Sequence, residues 1–179
     1  MKTILISLMA LSSLIFNITD KDWVIIKSKA EGYQVAFPGQ PVEENESVDS
    51  ELGKLKMNML TYEVTDEATD KNLVYLFNYT DYPEGKLDYS DSAMVESILD
   101  GAVNGAAKNV EGKIISVTPL TYKEHAGKEV RIDFKDGMAV IAIRCYLVKN
   151  RIYLLEVIAL TENDKNENQS KFLNSFELL

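Results

Sequence analysis

The sequence contains little of the chemistry on which most catalytic and metal sites depend. It has one cysteine, Cys145, and one histidine, His125, among 179 residues. A single cysteine excludes an internal disulfide framework, and one residue of each kind falls short of the ligands that a zinc site needs. We therefore predict no metal site and no cofactor. Cys145 is interpreted as a core packing residue and His125 as a surface residue, not as a nucleophile with its base.

Positive charge is also scarce. The chain has 19 Lys and Arg residues against 28 Asp and Glu residues, a formal net charge of -9. Nucleic-acid binding depends largely on Lys and Arg that neutralise phosphates, so the composition argues against a nucleic-acid partner. With 46% hydrophobic and 26% charged residues, the composition is typical of one folded globular domain.

The N-terminus has the pattern of an export signal. Lys2 precedes an apolar run at residues 4–16, and one positive charge before about 7–15 apolar residues is typical of a secretory signal peptide. The run is shorter than the roughly 20 residues of a membrane span. We predict a signal peptide at residues 1–19, with its cleavage position undefined, and one domain at residues 20–179. The protein is then exported, to the periplasm or beyond the cell, with no membrane span after leader removal; the alternatives are an uncleaved anchor or a core helix.

The apolar pattern predicts many strands and few helices. Strands are predicted at residues 23–26, 33–37, 54–64, 73–82, 113–121 and 128–135. Two nearly unbroken apolar runs, 138–148 and 152–160, predict strands at the centre of a sheet. A long amphipathic helix is predicted between a cap at residues 90–92 and a stop at Gly112, and a short one at residues 170–176. Because helices and strands do not alternate, the predicted fold is α+β, an antiparallel sheet of about six to seven strands flanked by helices.

Three stretches of the sequence resemble the PsbP-like family, which is also grouped with a Ran-binding nuclear transport factor. They are residues 32–41 (GYQVAFPGQP), the hairpin of residues 144–148 (RCYLV) and 153–155 (YLL), and residues 172–176 (FLNSF). The resemblance implies an antiparallel sheet sandwiched by helices. It also implies a non-catalytic protein, since the better-understood members are a photosystem subunit, a GTPase-binding factor and envelope or chaperone-like proteins. The motifs are structural, so no functional residue is carried over.

Two groups of residues are candidates for binding a protein partner. They are Ser97, Gly101 and Gly105 on the long helix, and Tyr79, Tyr82 and Tyr89 around the end of the strand before it. The helix residues continue a row of small side chains that begins at Ala93. This row indicates either close packing of the helix on the sheet or a shallow groove for a partner segment. The tyrosines either belong to the core and sheet face or form an interface patch.

Acidic residues leave two alternatives to partner binding. Residues 81–91 place four acids in a loop before the helix, which can hold a cation or small molecule, or else can be a solvated loop whose last acids cap the helix. The run that begins at Asp164 resembles a calcium loop, but Gln169 and Ser175 occupy the positions of its glycine and its bidentate glutamate. A hydrolase that uses carboxylates alone is the second alternative. The leading prediction is an exported, non-catalytic domain that binds a protein partner in the bacterial envelope, with no catalytic residues.

Overall fold

A computed structural model describes residues 23–50, 53–66 and 68–179. The predicted signal peptide lies outside the described residues. The elements in chain order are β1 (Val24–Ser28), β2 (Tyr33–Phe37), β3 (Val42–Ser50), β4 (Gly53–Glu63), β5 (Asn72–Asp81), α1 (Ser92–Asn109), β6 (Lys113–Tyr122), β7 (His125–Phe134), β8 (Ala139–Val148), β9 (Arg151–Leu160), α2 (Glu167–Leu173) and β10 (Glu177–Leu178). Neither described helix is long and apolar enough to cross a membrane.

Two antiparallel sheets form the frame of the domain. The larger has seven strands in the order β3-β4-β5-β9-β8-β7-β6, and β1, β2 and β10 form a smaller one. The α+β prediction is confirmed, and so is the central position of β8 and β9. The smaller sheet was not predicted as a separate layer, because it depends on the pairing of Glu177 and Leu178 with Gln34 and Tyr33, over 140 residues earlier in the chain.

Helix α1 covers one face of the large sheet. Its N-cap is Asp91, whose side chain accepts hydrogen bonds from the amides of Ala93 and Met94. Leu99, Val103 and Ala107 form its buried stripe, and they pack on side chains of β7, β8 and β9 in a second core. The predicted cap and apolar stripe are confirmed.

The predicted stop at Gly112 is confirmed, and its cause is close packing. The Gly112 amide donates to the Ala107 carbonyl at 2.9 Å, which closes the end of α1. A Cβ atom at Gly112 would lie 2.5 Å from Ile132 Cγ2 and 2.8 Å from the Asp133 carbonyl oxygen. Only glycine lets the chain pass this close to β7 as it enters β6.

The smaller sheet and α2 cover the other face and enclose the first core. Tyr75, Phe77 and Tyr79 of β5 are buried there with Phe172 and Phe176. The core interpretation of these alternating aromatic residues is confirmed. The first core is therefore largely aromatic, whereas the second core under α1 is aliphatic.

Helix α2 begins earlier than predicted, at Glu167 and not at residue 170. The Asn166 side chain accepts a hydrogen bond from the Gln169 amide and acts as the N-cap. Asn166 also exchanges side-chain hydrogen bonds with the buried Asn72, at 2.7 and 3.1 Å. This contact with the start of β5 fixes the helix terminus. It cannot be predicted from a local pattern of apolar residues.

A buried lysine joins α1 to the large sheet. Only 4% of the Lys128 side chain is exposed, and its ammonium lies 2.6 Å from Glu96 Oε1 and 2.5 Å from Asp100 Oδ1. The two acids are four residues apart and so lie on one side of the helix. Burial alone would lower the pKa of Lys128, but the hydrogen bonds to Asp100 and Glu96 outweigh it and raise the pKa.

Candidate interaction surface

The small residues of α1 face away from the sheet. Ser97 and Gly101 are exposed, and Gly105 is half-buried. A Cβ atom at Gly101 or Gly105 would meet no other atom within 4 Å. The row lies two positions from the buried stripe, which is about 200° around a helix of 3.6 residues per turn. The expectation that it serves close packing on the sheet is therefore wrong, and docking of a partner on it stays a prediction.

The three candidate tyrosines do not share one surface. Tyr79 is buried in the first core, where its ring lies 5.5 Å from Tyr33 and 6.2 Å from Tyr153. Tyr82 is half-buried and packs against the second core, on the opposite side of the sheet. Tyr89 is exposed. Of the three, Tyr89 alone offers its ring to a partner without rearrangement of the core.

Three acids of the loop at residues 81–91 already have structural partners. Asp81 accepts two hydrogen bonds of 2.6 Å from Arg151, in a bidentate pair. Asp88 accepts from the amide and the hydroxyl of Ser90, and Asp91 caps α1. The described residues contain no group of three or more acids, histidines or cysteines that could hold a metal ion. The helix-capping interpretation of the loop is supported for Asp91, and the cation alternative would require Arg151 to give up Asp81.

The segment that resembles a calcium loop is likewise occupied by protein contacts. Asp164 forms an ion pair with Arg131. The same carboxylate accepts a hydrogen bond from the amide of Lys165. These contacts fix Asp164 beside β7, so it links the short 3-10 turn at Thr161–Asn163 to the large sheet.

Cys145 and His125 lie on opposite faces of the large sheet. Cys145 is fully buried in the second core, and burial raises the pKa of its thiol to about 11. The His125 side chain is among the β7 side chains that point to the other face of the sheet. Its Nε2 atom lies 3.9 Å from Glu124. The core position predicted for Cys145 is confirmed, and the thiol cannot reach the imidazole through the sheet.

One edge of the large sheet is exposed and apolar. Strand β6 forms this edge, and no described strand pairs with its outer side. The exposed fractions of Ile114, Ile115 and Val117 are 39%, 57% and 42%. An edge strand presents unpaired main-chain donors and acceptors, and a long apolar edge is a template for pairing with another chain.

The exposed residues of β6 continue the second core beyond α1. Ile114 pairs with Ile132 and Val117 with Val130, and both partners are buried under α1. Ile115 occupies a bulge between the two pairs. Directly paired residues point to the same side of a sheet, so Ile114 and Val117 form an apolar margin beside the helix.

The opposite edge of the sheet is strongly acidic. Strand β3 carries Glu43, Glu44 and Glu46, all exposed. Charged side chains are the usual device by which proteins prevent pairing at a sheet edge. Strand β6 has one charged residue in ten, Lys113. This contrast, together with Pro119, was the signal in the sequence that could have identified β6 as an apolar edge.

Sequence reasoning also missed a half-buried carboxylate with a perturbed pKa, Glu156. It interrupts the apolar run of β9 and lies opposite Leu76 and Ile143 in the sheet. Its Oε1 atom accepts a hydrogen bond of 2.9 Å from Asn78. Burial raises the pKa of Glu156 to about 7, although the bond from Asn78 acts in the opposite direction.

The fold can be compared with that of known proteins. No protein-family model and no curated protein matches the sequence. Among solved structures, the chain is similar to the solution structure of cyanobacterial PsbP (CyanoP) from Synechocystis sp. PCC 6803, with a TM-score of 0.58 over 91% of this chain and 96% of that chain. The sequence identity is 8%, so the likeness concerns the fold alone. The resemblance found in the three sequence stretches is confirmed at that level: the chain has a PsbP-like α+β fold.

Proposed function

We propose that this chain is an exported, non-catalytic domain that binds protein through the edge strand β6. One observation carries the proposal: Ile114, Ile115 and Val117 expose apolar side chains along a strand whose outer main-chain groups have no described strand partner. Strand addition satisfies such an edge, because main-chain hydrogen bonds supply affinity and the side chains supply specificity. The apolar residues would then leave water together with the edge.

Three further features support an accessory role outside the cytoplasm. The N-terminal pattern at residues 1–19 is that of a secretory signal. The PsbP-like resemblance implies a non-catalytic protein. The one thiol, Cys145, is buried with a raised pKa, as suits a protein in an oxidising compartment.

The test is a crosslinking pull-down of the tagged full-length protein from the envelope of its native host, which retains its untagged copy. Mass spectrometry identifies the captured proteins. The β6 variant is Val117→Lys, which places a charge on the edge, and the matched control is Val42→Lys on β3, where the exposed fraction is 63%. A third variant, Gly101→Leu, probes the outward row of α1, where an added Cβ atom meets no neighbour within 4 Å.

We expect a stoichiometric partner, another protein or the untagged copy, with the wild type and with Val42→Lys, and its loss with Val117→Lys. Loss with Gly101→Leu alone would move the binding surface to α1 and contradict the assignment to β6. If a correctly exported and folded chain captures nothing, protein binding itself is refuted.

A further inference from the structure

Strand β6 is also suited to one particular occupant. We propose that it pairs with β6 of a second copy of this chain, in antiparallel orientation about a two-fold axis. This inference rests on the proposed function, because it names the partner of the same edge. The two seven-stranded sheets would then join into one continuous sheet.

The distribution of charge permits two copies to meet at this edge and not at the other. Residues 113–136, which form the hairpin of β6 and β7, contain five basic and four acidic residues, a net charge of +1. Residues 42–63, a stretch that includes β3 and β4, contain two basic and six acidic residues, a net charge of -4. The excess acid of the whole chain therefore lies away from β6. With a screening length of about 8 Å at physiological ionic strength, the local charge decides which surfaces of two identical molecules can approach.

The side chains of β6 are complementary to themselves in this orientation. An axis between Ile115 and Ser116 places Ile114 of one copy opposite Val117 of the other, twice. Both residues lie on the α1 side of the sheet, so the apolar margins of the two molecules merge. Lys113 of each copy falls opposite Thr118, and the two lysines lie at opposite ends of the shared seam.

The bulge and the proline of β6 define the extent of the pairing. Each copy carries the extra residue Ile115, and the two-fold axis brings the two bulged segments opposite each other, so the register is kept on both sides. Pro119 has no amide hydrogen to donate and therefore ends the seam after Thr118. A two-fold contact uses each edge once and closes, which leaves the acidic β3 strands at the two ends of the joined sheet.

The test is sedimentation equilibrium of the purified full chain over a range of concentrations, with wild type, Val117→Lys and Val42→Lys. We expect the wild type to reach twice the mass of its own chain at the highest concentrations. Because each substitution occurs twice in a two-fold interface, we expect Val117→Lys to weaken dimerisation by roughly tenfold or more, as a charge blunts a sheet edge. Val42→Lys should dimerise like the wild type. Urea unfolding confirms that both variants are folded.

The outcomes separate this inference from the proposed function. A wild type that stays monomeric while Val117→Lys loses a different protein in the pull-down refutes the second copy and keeps the function. Equal dimerisation of Val117→Lys and wild type refutes the β6 seam. Open-ended assembly that Val42→Lys also weakens would mean that β6 pairs with β3, which contradicts a closed two-fold contact.

Discussion

The ion pairs of Lys128 lead us to predict that substituting the lysine and substituting its two acidic partners change stability by different amounts. The Lys128 side chain is 4% exposed, whereas the Glu96 and Asp100 side chains are 61% and 53% exposed. Replacing both acids by amides leaves a buried charge without a counter-charge. Removing the lysine leaves two acids that water already solvates. We therefore expect the double variant Glu96→Gln, Asp100→Asn to lose much more stability than Lys128→Met.

The magnitude follows from burial on each side. Leaving a buried charge unpaired costs about 3–5 kcal/mol. The amide oxygens of the new Gln and Asn side chains can still accept hydrogen bonds from the ammonium, so we expect the lower limit, about 3 kcal/mol. Lys128→Met replaces the charge by an apolar chain of similar length, and the change should stay within about 1 kcal/mol of the wild type.

Urea unfolding followed by circular dichroism measures both changes. At about 2 kcal/mol per molar urea, a loss of 3 kcal/mol lowers the unfolding midpoint by about 1.5 M. The control is Glu44→Gln, Glu46→Gln, which changes charge by the same amount at exposed sites on β3. Equal losses for Lys128→Met and the double acid variant would refute the argument, as would a control that loses as much as the double acid variant.

Four further predictions concern stability and reactivity. Gly101→Ala and Gly105→Ala should each raise the free energy of unfolding by up to about 1 kcal/mol, since the helix gains propensity and the added methyl meets no atom. Gly112→Ala should lower it in the same urea series, because its methyl would collide with the backbone of β7. The pKa of Glu156 in the folded protein, about 7, exceeds its ordinary 4.5, so its contribution to stability is present below pH 4.5 and is lost as pH rises to 7. The free energy of unfolding of Glu156→Gln should therefore exceed that of the wild type by up to about 3 kcal/mol at pH 8 and match it at pH 4. A constant difference across that pH range would contradict the titration. The Cys145 thiol should react with a thiol reagent only as fast as the chain unfolds, and rapid labelling of the native protein would contradict its burial.

Local sequence pattern was sufficient for elements whose stability is decided within the element. The apolar stripe of α1 and its Asp91 cap follow from residues three and four apart. The nearly unbroken apolar runs of β8 and β9 predicted burial on both faces, and the sheet order places them at its centre. The start of α2 was predicted too late in the chain, because Asn166, which is fixed by a contact with Asn72, supplies the cap.

The candidate surface depended on contacts between distant parts of the chain. The row at Gly101 and Gly105 has the same composition whether it faces the sheet or the solvent, and the structure leaves it outside. Likewise, residue type does not distinguish Tyr79 from Tyr89, but the smaller sheet and α2 cover only Tyr79.

The class of fold, the central strands, the amphipathic helix and the near absence of thiol and imidazole chemistry follow from the amino-acid sequence alone. The separation of β1, β2 and β10 from the main sheet, and the positions of β6 and β3 at its two edges, follow only from the three-dimensional arrangement. The spacing of apolar residues within a short segment indicates which face of that helix or strand is buried. Which layer buries that face, and which strand is left at an edge, depends on pairings between residues far apart in the chain, whose combined energy no single segment contains.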